Sequence, residues 1–272
     1  MRAGKRHSAE AGALRGGAIA GAATQTAKRR GRRSTGLVRQ YGTNGRLGAR
    51  GVGRLIVDKS RAAWPMGIFF VVYLVWFKII ENWDRLRYVV VHMEIDDHIP
   101  FLEIFVIPYF LWFFYVIYTV CYMYFKDRDN YHSVCAFLCI GMTIFLALST
   151  VIPNIQFLRP EVMPRDNIFT RMVGGLYRGD TPTNLFPSIH VFNSIGVTVA
   201  IYKSKGALAN RRAVRIGALV LCVLIILSTM FIKQHSMFDV LTAYALCVPV
   251  YILVYRLGFT FERRRRSETA LE

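Results

Sequence analysis

Apolar residues fall in long blocks separated by polar segments: 64–80, 101–125, 131–152, 188–202, 213–232 and 239–257. Most of these six blocks approach the roughly 20 residues that a spanning helix needs. The pattern therefore predicts an all-α polytopic membrane bundle of six transmembrane helices. The block at 188–202 is short and carries Ser188, His190, Asn193 and Ser194. Such a helix belongs in the bundle interior rather than against lipid. Pro65, Pro108 and Pro249 lie in or at the edges of blocks and predict kinks. Trp64, Trp83, Tyr109, Tyr131 and Tyr255 stand at block ends, where interface anchors sit. The aromatic run 110–118 reads as a lipid-facing or packing surface.

Composition agrees: 54% of residues are hydrophobic and the mean hydropathy is +0.33, too apolar for an ordinary soluble domain. The formal charge of +18 is unevenly placed, with residues 1–61 holding 15 of 35 Lys+Arg and 2 of 17 acids. Residues 1–60 lack apolar periodicity, and a segment that buries no core stays disordered. The expected organisation is a basic cytoplasmic tail over 1–61, a six-helix catalytic membrane domain over 62–258 and a second basic cytoplasmic tail over 259–272. The run Lys28 to Arg33 has the charge to bind nucleic acid or anionic lipid. A topology signal is the simpler reading, so no nucleic-acid partner is expected. The first apolar block comes too late for a secretory signal peptide. Cys121, Cys135, Cys139, Cys222 and Cys247 lie in apolar runs and read as small buried hydrophobes.

Lys and Arg placement sets orientation. With the basic N-terminus inside, the loops at 126–130 and 203–212 and the tail with Arg263 to Arg266 also fall inside. The loops at 81–100, 153–187 and 233–238 fall outside. Arg159, His190, His235 and Asp239 then share one depth, at the outer ends of helices or in adjoining loops. That common depth argues for one site.

His235 and Asp239 are four apart, a spacing that stacks side chains on one helix face. A carboxylate there holds one ring N–H, fixes the tautomer and raises the basicity of the other nitrogen, making His235 a candidate nucleophile or base. The plainer alternative is a buried helix-capping pair. Phosphoryl transfer without a metal needs a nucleophile, a proton donor and fixed positive charge. His190 can supply the second. Pro187 suits a first helical position, with Ser188 and free N–H groups facing an anion, and Arg159 offers forked donors.

Arg159-Pro160, Pro187-Ser-Ile-His190 and Ser228 through His235 to Asp239 together resemble the three-part signature of the type 2 phosphatidic acid phosphatase superfamily. The stretch from Ile95 through Pro100-Phe101 to Pro108-Tyr109 is also similar to membrane members of that group. The resemblance implies that His235 attacks phosphorus, Asp239 orients it, and His190 protonates the leaving oxygen and then activates the acceptor. Arg159 and Ser188 would hold the phosphate, with no metal and no cofactor. Three positions depart from the pattern: Ile152 stands for the lysine seven residues before Arg159, Ile189 for the glycine and Thr229 for an arginine. Lys233, and Arg178 or Arg171, are candidate replacements for the missing cations. Ile189 and the Ser228-Thr-Met run are more similar to inositol phosphorylceramide and sphingomyelin synthases, which pass the phosphoryl-bearing group to another alcohol. The expected partners are the bilayer and a membrane lipid phosphate. The expected activity is hydrolysis of a lipid phosphomonoester or pyrophosphate, with headgroup transfer second. A third possibility is a non-catalytic membrane protein whose basic tail binds nucleic acid or lipid.

Two other features carry competing readings. His92, Glu94, Asp96, Asp97 and His98 contain metal-ligating types, but no regular helix or strand brings His92 and His98 together, and an acidic, solvated loop is the simpler reading. Gly174, Gly175 and Gly179 lack a strand–loop–helix context for cradling phosphate. They read as giving their loop freedom to close over a substrate.

Overall fold

The computed structural model describes residues 49–83 and 87–260. The chain forms two units, Met1–Ala62 and Ala63–Glu272. In the first, the described residues are helical; expectations for the run Lys28 to Arg33 and for the tail beyond residue 260 lie outside the described residues. Helix α1, Ala49–Glu81, begins inside the stretch expected to be disordered. Leu55, Lys59, Arg61 and the two alanines that follow favour helix, and extending an existing helix costs far less than nucleating one.

The second unit continues with β1 (Val89–Val90), α2 (Glu94–His98), α3 (Val106–Lys126), α4 (Arg128–Val151), β2 (Asn154–Ile155), α5 (Ile168–Gly179), α6 (Ile189–Lys203), α7 (Arg212–Phe231) and α8 (Met237–Tyr251). Each apolar block becomes one helix. Five of them, in α1, α3, α4, α7 and α8 with the residues that extend it, are long and apolar enough to cross a membrane, the pattern of an integral membrane protein. The sixth, α6, has 15 residues. At 1.5 Å per residue it spans only roughly 22 Å, and it does not reach that length. Its place is central: Val191, Phe192, Val197 and Ala200 are all buried.

Prolines act locally. Pro108 lies in the first turn of α3, where a missing N–H costs nothing. Pro249 lies near the end of α8, and the chain then widens into a π-helical turn, Ile252–Arg256. Polar bonds tie α6 to its neighbours at the end opposite the candidate residues. Asn130 Nδ2 donates to the Ala200 carbonyl at 2.7 Å, and Tyr115 and Thr198 hydroxyls pair at 2.8 Å. Asp127, which caps α4, takes Ser204 Oγ–H at 2.7 Å and Lys205 N–H at 3.0 Å.

The α4–α6 seam is a reciprocal insertion. Phe137 and Phe192 stack with centroids 4.6 Å apart, and each ring lies over a glycine of the other helix. A Cβ on Gly141 would stand 1.9 Å from Phe192 Cε1, and one on Gly196 would stand 2.6 Å from Phe137 Cδ1. Small residues let membrane helices approach this closely.

Short strands and α5 build the polar cover at the other end. β1 and β2 pair in parallel, Val89 against Asn154. The three glycines expected to loosen this segment lie instead in or at the end of α5. The helix forms because Asn167 and Thr170 close a capping box, and because Phe169, Val173, Leu176 and Tyr177 give it one apolar face. That face packs on Val106, Tyr109 and Ile232.

The seam generates a test. Gly141→Ala should lower stability by about 1–3 kcal/mol through overpacking, read as a depressed Tm in detergent. Gly67→Ala in α1, where a Cβ meets nothing within 4 Å, should leave Tm unchanged or raise it.

Candidate active site

The helix α8 starts at Met237, with Ser236 as its N-cap. His235 therefore precedes the helix, and the two residues do not stack on a helical face as their spacing suggests. The upstream helix ends at Phe231 and Ser236 starts the next one, and Asp239, at the third helical position, reaches back. Its Oδ2 accepts from Ser236 N–H at 3.0 Å and lies 3.2 Å from His235 Nδ1. The capping alternative is thus half right: Asp239 caps α8 and holds His235 with the same oxygen. With the Asp239 oxygen as acceptor, the His235 proton sits on Nδ1 and Nε2 carries the lone pair.

His190 Nδ1 stands 3.2 Å from that Nε2. With Nε2 the acceptor, Nδ1 of His190 is the donor. His190 lies in the first turn of α6, whose N-cap is Ser188, so Pro187 precedes the cap instead of opening the helix. Ser188 Oγ accepts from Val191 N–H at 3.4 Å, and Ser188 N–H donates to the Asp239 carbonyl at 3.1 Å. That bond joins the starts of α6 and α8 directly. Tyr109 and Trp112 of α3 flank the His190 ring, with centroids 4.6 and 4.4 Å away. Tyr109 is therefore no interface anchor: it is 2% exposed, and part of the aromatic run turns inward to the site.

Arg159 joins the group through Gln234. Its Nη2 donates to Gln234 Oε1 at 2.8 Å and to the Thr181 carbonyl at 3.2 Å, and its Nη1 to the Asp180 carbonyl at 2.7 Å. The guanidinium also lies 4.5 Å over the Tyr177 ring. Both Arg159 Nε and Gln234 Nε2 are buried with no partner among the described residues. The three candidate replacement cations are elsewhere. Lys233 donates from Nζ to the Asp96 carbonyl at 2.7 Å. Burial lowers its pKa, with Asp96 and Asp97 opposing that. Arg178 is exposed and folds back over Gly174 and Gly175 of its own helix. Arg171 pairs with Asp166 on the surface.

The turn 231–237 is held from several directions. Leu102 N–H bonds Phe231 O at 3.0 Å, Tyr177 OH bonds Ile232 O at 2.7 Å, and Gln156 Nε2 bonds Lys233 O at 2.9 Å. Thr229, at the family's arginine position, turns its hydroxyl to Ile226 O, while its carbonyl accepts from Gln234 and His235 N–H. Lys233 takes φ +52° in this turn, a region costly for a residue with a side chain. Asn154 Oδ1 shapes the approach to α6 by accepting from Leu185 N–H at 2.7 Å. Sequence reasoning missed Asn154, Gln156, Tyr177 and Gln234. The only signal was amide residues set against apolar blocks beside the motif residues.

The acidic loop before α3 is not a cluster of convergent ligands. His92 pairs with Asp97 at 2.9 Å and His98 turns to the Glu94 carbonyl. Asp96 is buried and faces α8. The solvated reading fails for this residue because the start of α8 supplies its donors.

His190 in the first turn of α6 and His235 in the turn before α8, the latter held by a carboxylate, thus stand within hydrogen-bond distance of each other. Residues 155–263 match the family model of the PAP2 superfamily, so this segment of the chain is similar to that superfamily, whose members are typically phosphatases. The segment contains Arg159, Ser188, His190, His235 and Asp239; Tyr109 and Trp112 precede it. Neither a curated protein nor a solved structure gives a match.

Asp180 generates a pH prediction. Burial raises its pKa first of all; Arg159 opposes this and Glu81 adds to it. A carboxyl whose folded pKa lies above its unfolded value contributes stability at low pH, which is lost as pH rises through the folded value. Asp180→Asn should therefore retain stability that the wild type loses as pH climbs from the ordinary carboxylate range toward neutrality. Tm measured against pH in detergent should show the two proteins diverging in that direction.

Proposed function

We propose that this protein is an integral membrane enzyme that hydrolyses a phosphomonoester or pyrophosphate of a lipid through a phosphohistidine on His235. The observation that carries the reading is the His190–His235–Asp239 chain, with Asp239 on one nitrogen of His235 and His190 on the other. Substrate phosphorus enters between the rings and displaces their mutual hydrogen bond. The Nε2 lone pair of His235 bonds phosphorus as the ester or anhydride P–O bond breaks. Burial and His235 hold His190 toward the neutral ring, so His190 takes up a proton as the phosphate's negative charge enters beside it and gives that proton to the leaving oxygen. Neutral His190 then takes a proton from water, whose oxygen bonds phosphorus as the P–N bond breaks. Asp239 stabilises the charge that develops on His235. Arg159, Ser188 and the N–H groups at the start of α6 are the phosphate ligands. Lys233 and Arg178 join them only if their side chains leave the positions described above.

The site belongs on the extracytoplasmic face, with both termini cytoplasmic; the uneven placement of Lys and Arg supports this. A second reading is headgroup transfer of the inositol phosphorylceramide or sphingomyelin synthase type. It is favoured by the Tyr109 and Trp112 rings, which cover two sides of His190 and favour an organic hydroxyl over water as its partner.

Purified protein in detergent, given phosphatidic acid or an isoprenyl pyrophosphate with a chelator present, should release inorganic phosphate. His235→Ala should abolish release, and His190→Ala should lower it by about 10²- to 10⁴-fold. Phosphate that appears only in a second lipid, when an alcohol acceptor is added, would establish transfer instead. Activity retained by His235→Ala would defeat both readings.

A further inference from the structure

Asp96 lies outside the family-matched segment, in α2 of the loop before α3. It is 1% exposed, and a buried carboxylate is costly unless its oxygens are satisfied. Here they are. Oδ1 accepts from Met237 N–H at 2.7 Å, and Oδ2 accepts from Met93 N–H at 2.9 Å and from the Ser236 hydroxyl. Its carbonyl accepts from Lys233 Nζ at 2.7 Å. One residue thus grips both ends of the turn that contains His235. It also presents its charge to the first turn of α8, where the helix dipole favours an anion.

Capping alone does not account for this. Ser236 and Asp239 already close the capping box of α8. What Asp96 adds is the placement of Ser236. The Ser236 hydroxyl is held by Asp96, while the Ser236 N–H bonds the Asp239 oxygen that also faces His235 Nδ1. Resting on the reaction proposed above, we infer that Asp96 is a positioning residue for it: Asp96 fixes Ser236, and through Ser236 the Asp239 oxygen that orients His235. Asp96 and Lys233 together make a clasp by which the loop before α3 sets the geometry of a site built from α6 and α8. Lys233 on this view acts on the turn and not on phosphate.

The test compares wild type, Asp96→Asn, Ser236→Ala and the double variant in detergent, with phosphatidic acid as substrate and Asp97→Asn as the control. Asp97 is exposed and faces His92, so Asp97→Asn should match wild type. Asp96→Asn and Ser236→Ala should each lower kcat on the order of 10- to 100-fold, with KM moving less than about threefold. The double variant should be no slower than the slower single one, since both act through one bond. A merely structural role would show, in folded protein, as a changed KM with kcat kept or as losses that multiply; either would overturn the inference. If Asp96→Asn does not fold, Ser236→Ala carries the test, and wild-type kcat there overturns the inference. An active wild type and an inactive His235→Ala beside an unimpaired Asp96→Asn would refute it alone. An inactive wild type would refute it together with the proposed reaction.

Discussion

The hydrogen bond from Ser188 N–H to the Asp239 carbonyl, 3.1 Å long, is the constraint on which the site depends. It fastens the start of α6 to the first turn of α8. The residues after each contact then have no freedom to be far apart: His190 stands two positions beyond Ser188, and His235 is bound back to Asp239. Two imidazoles meet because two helix N-termini share one bond.

A site at helix ends needs its loops held still, since loops lack the backbone ladder that keeps a helix rigid. Amide and carboxylate side chains perform that task here. Gln156, Tyr177 and Leu102 occupy three successive carbonyls of the turn 231–233, and Glu103 anchors the segment before α5 through Arg165 and Asn167. These groups are buried beside apolar helices, where an unsatisfied polar atom is expensive. The same expense makes the network cooperative, because each bond keeps the next group from losing its partner. Below it, the Phe137–Phe192 interlock keeps α6 at a set height against α4. His190, two residues before Phe192 in the same helix, inherits that height.

Charge economy separates these residues from the three-part pattern they resemble. The two cation positions are Ile152 and Thr229, and neither Lys233 nor Arg178 stands in their place. Arg159 is tied to the turn that contains His235, and its donors are largely engaged by backbone carbonyls and Gln234. In the proposed reaction, phosphate recognition rests on backbone N–H groups and few side chains. Aromatic cover from Tyr109 and Trp112 lowers the local dielectric, which strengthens each remaining donor.

The linear pattern alone determined the helices, because apolar blocks of spanning length have one low-energy structure in a membrane. It also named His190, His235, Asp239 and Arg159, since ionisable groups set among apolar residues are too costly to be incidental. What it read wrongly were features settled by long-range partners. Asp96 looked like a solvated acid, Tyr109 like an interface anchor and Gly174-Gly175 like a hinge, because nothing local reveals that α8, His190 and the Tyr109–Ile232 cluster lie beside them. The spacing of His235 and Asp239 suggested one helix face, and only the cap at Ser236 turned that pair into a bond across a helix start. Periodicity reports how a segment meets its solvent. Which buried polar atom satisfies which other is decided by segments distant in the chain, and only the folded arrangement brings those together.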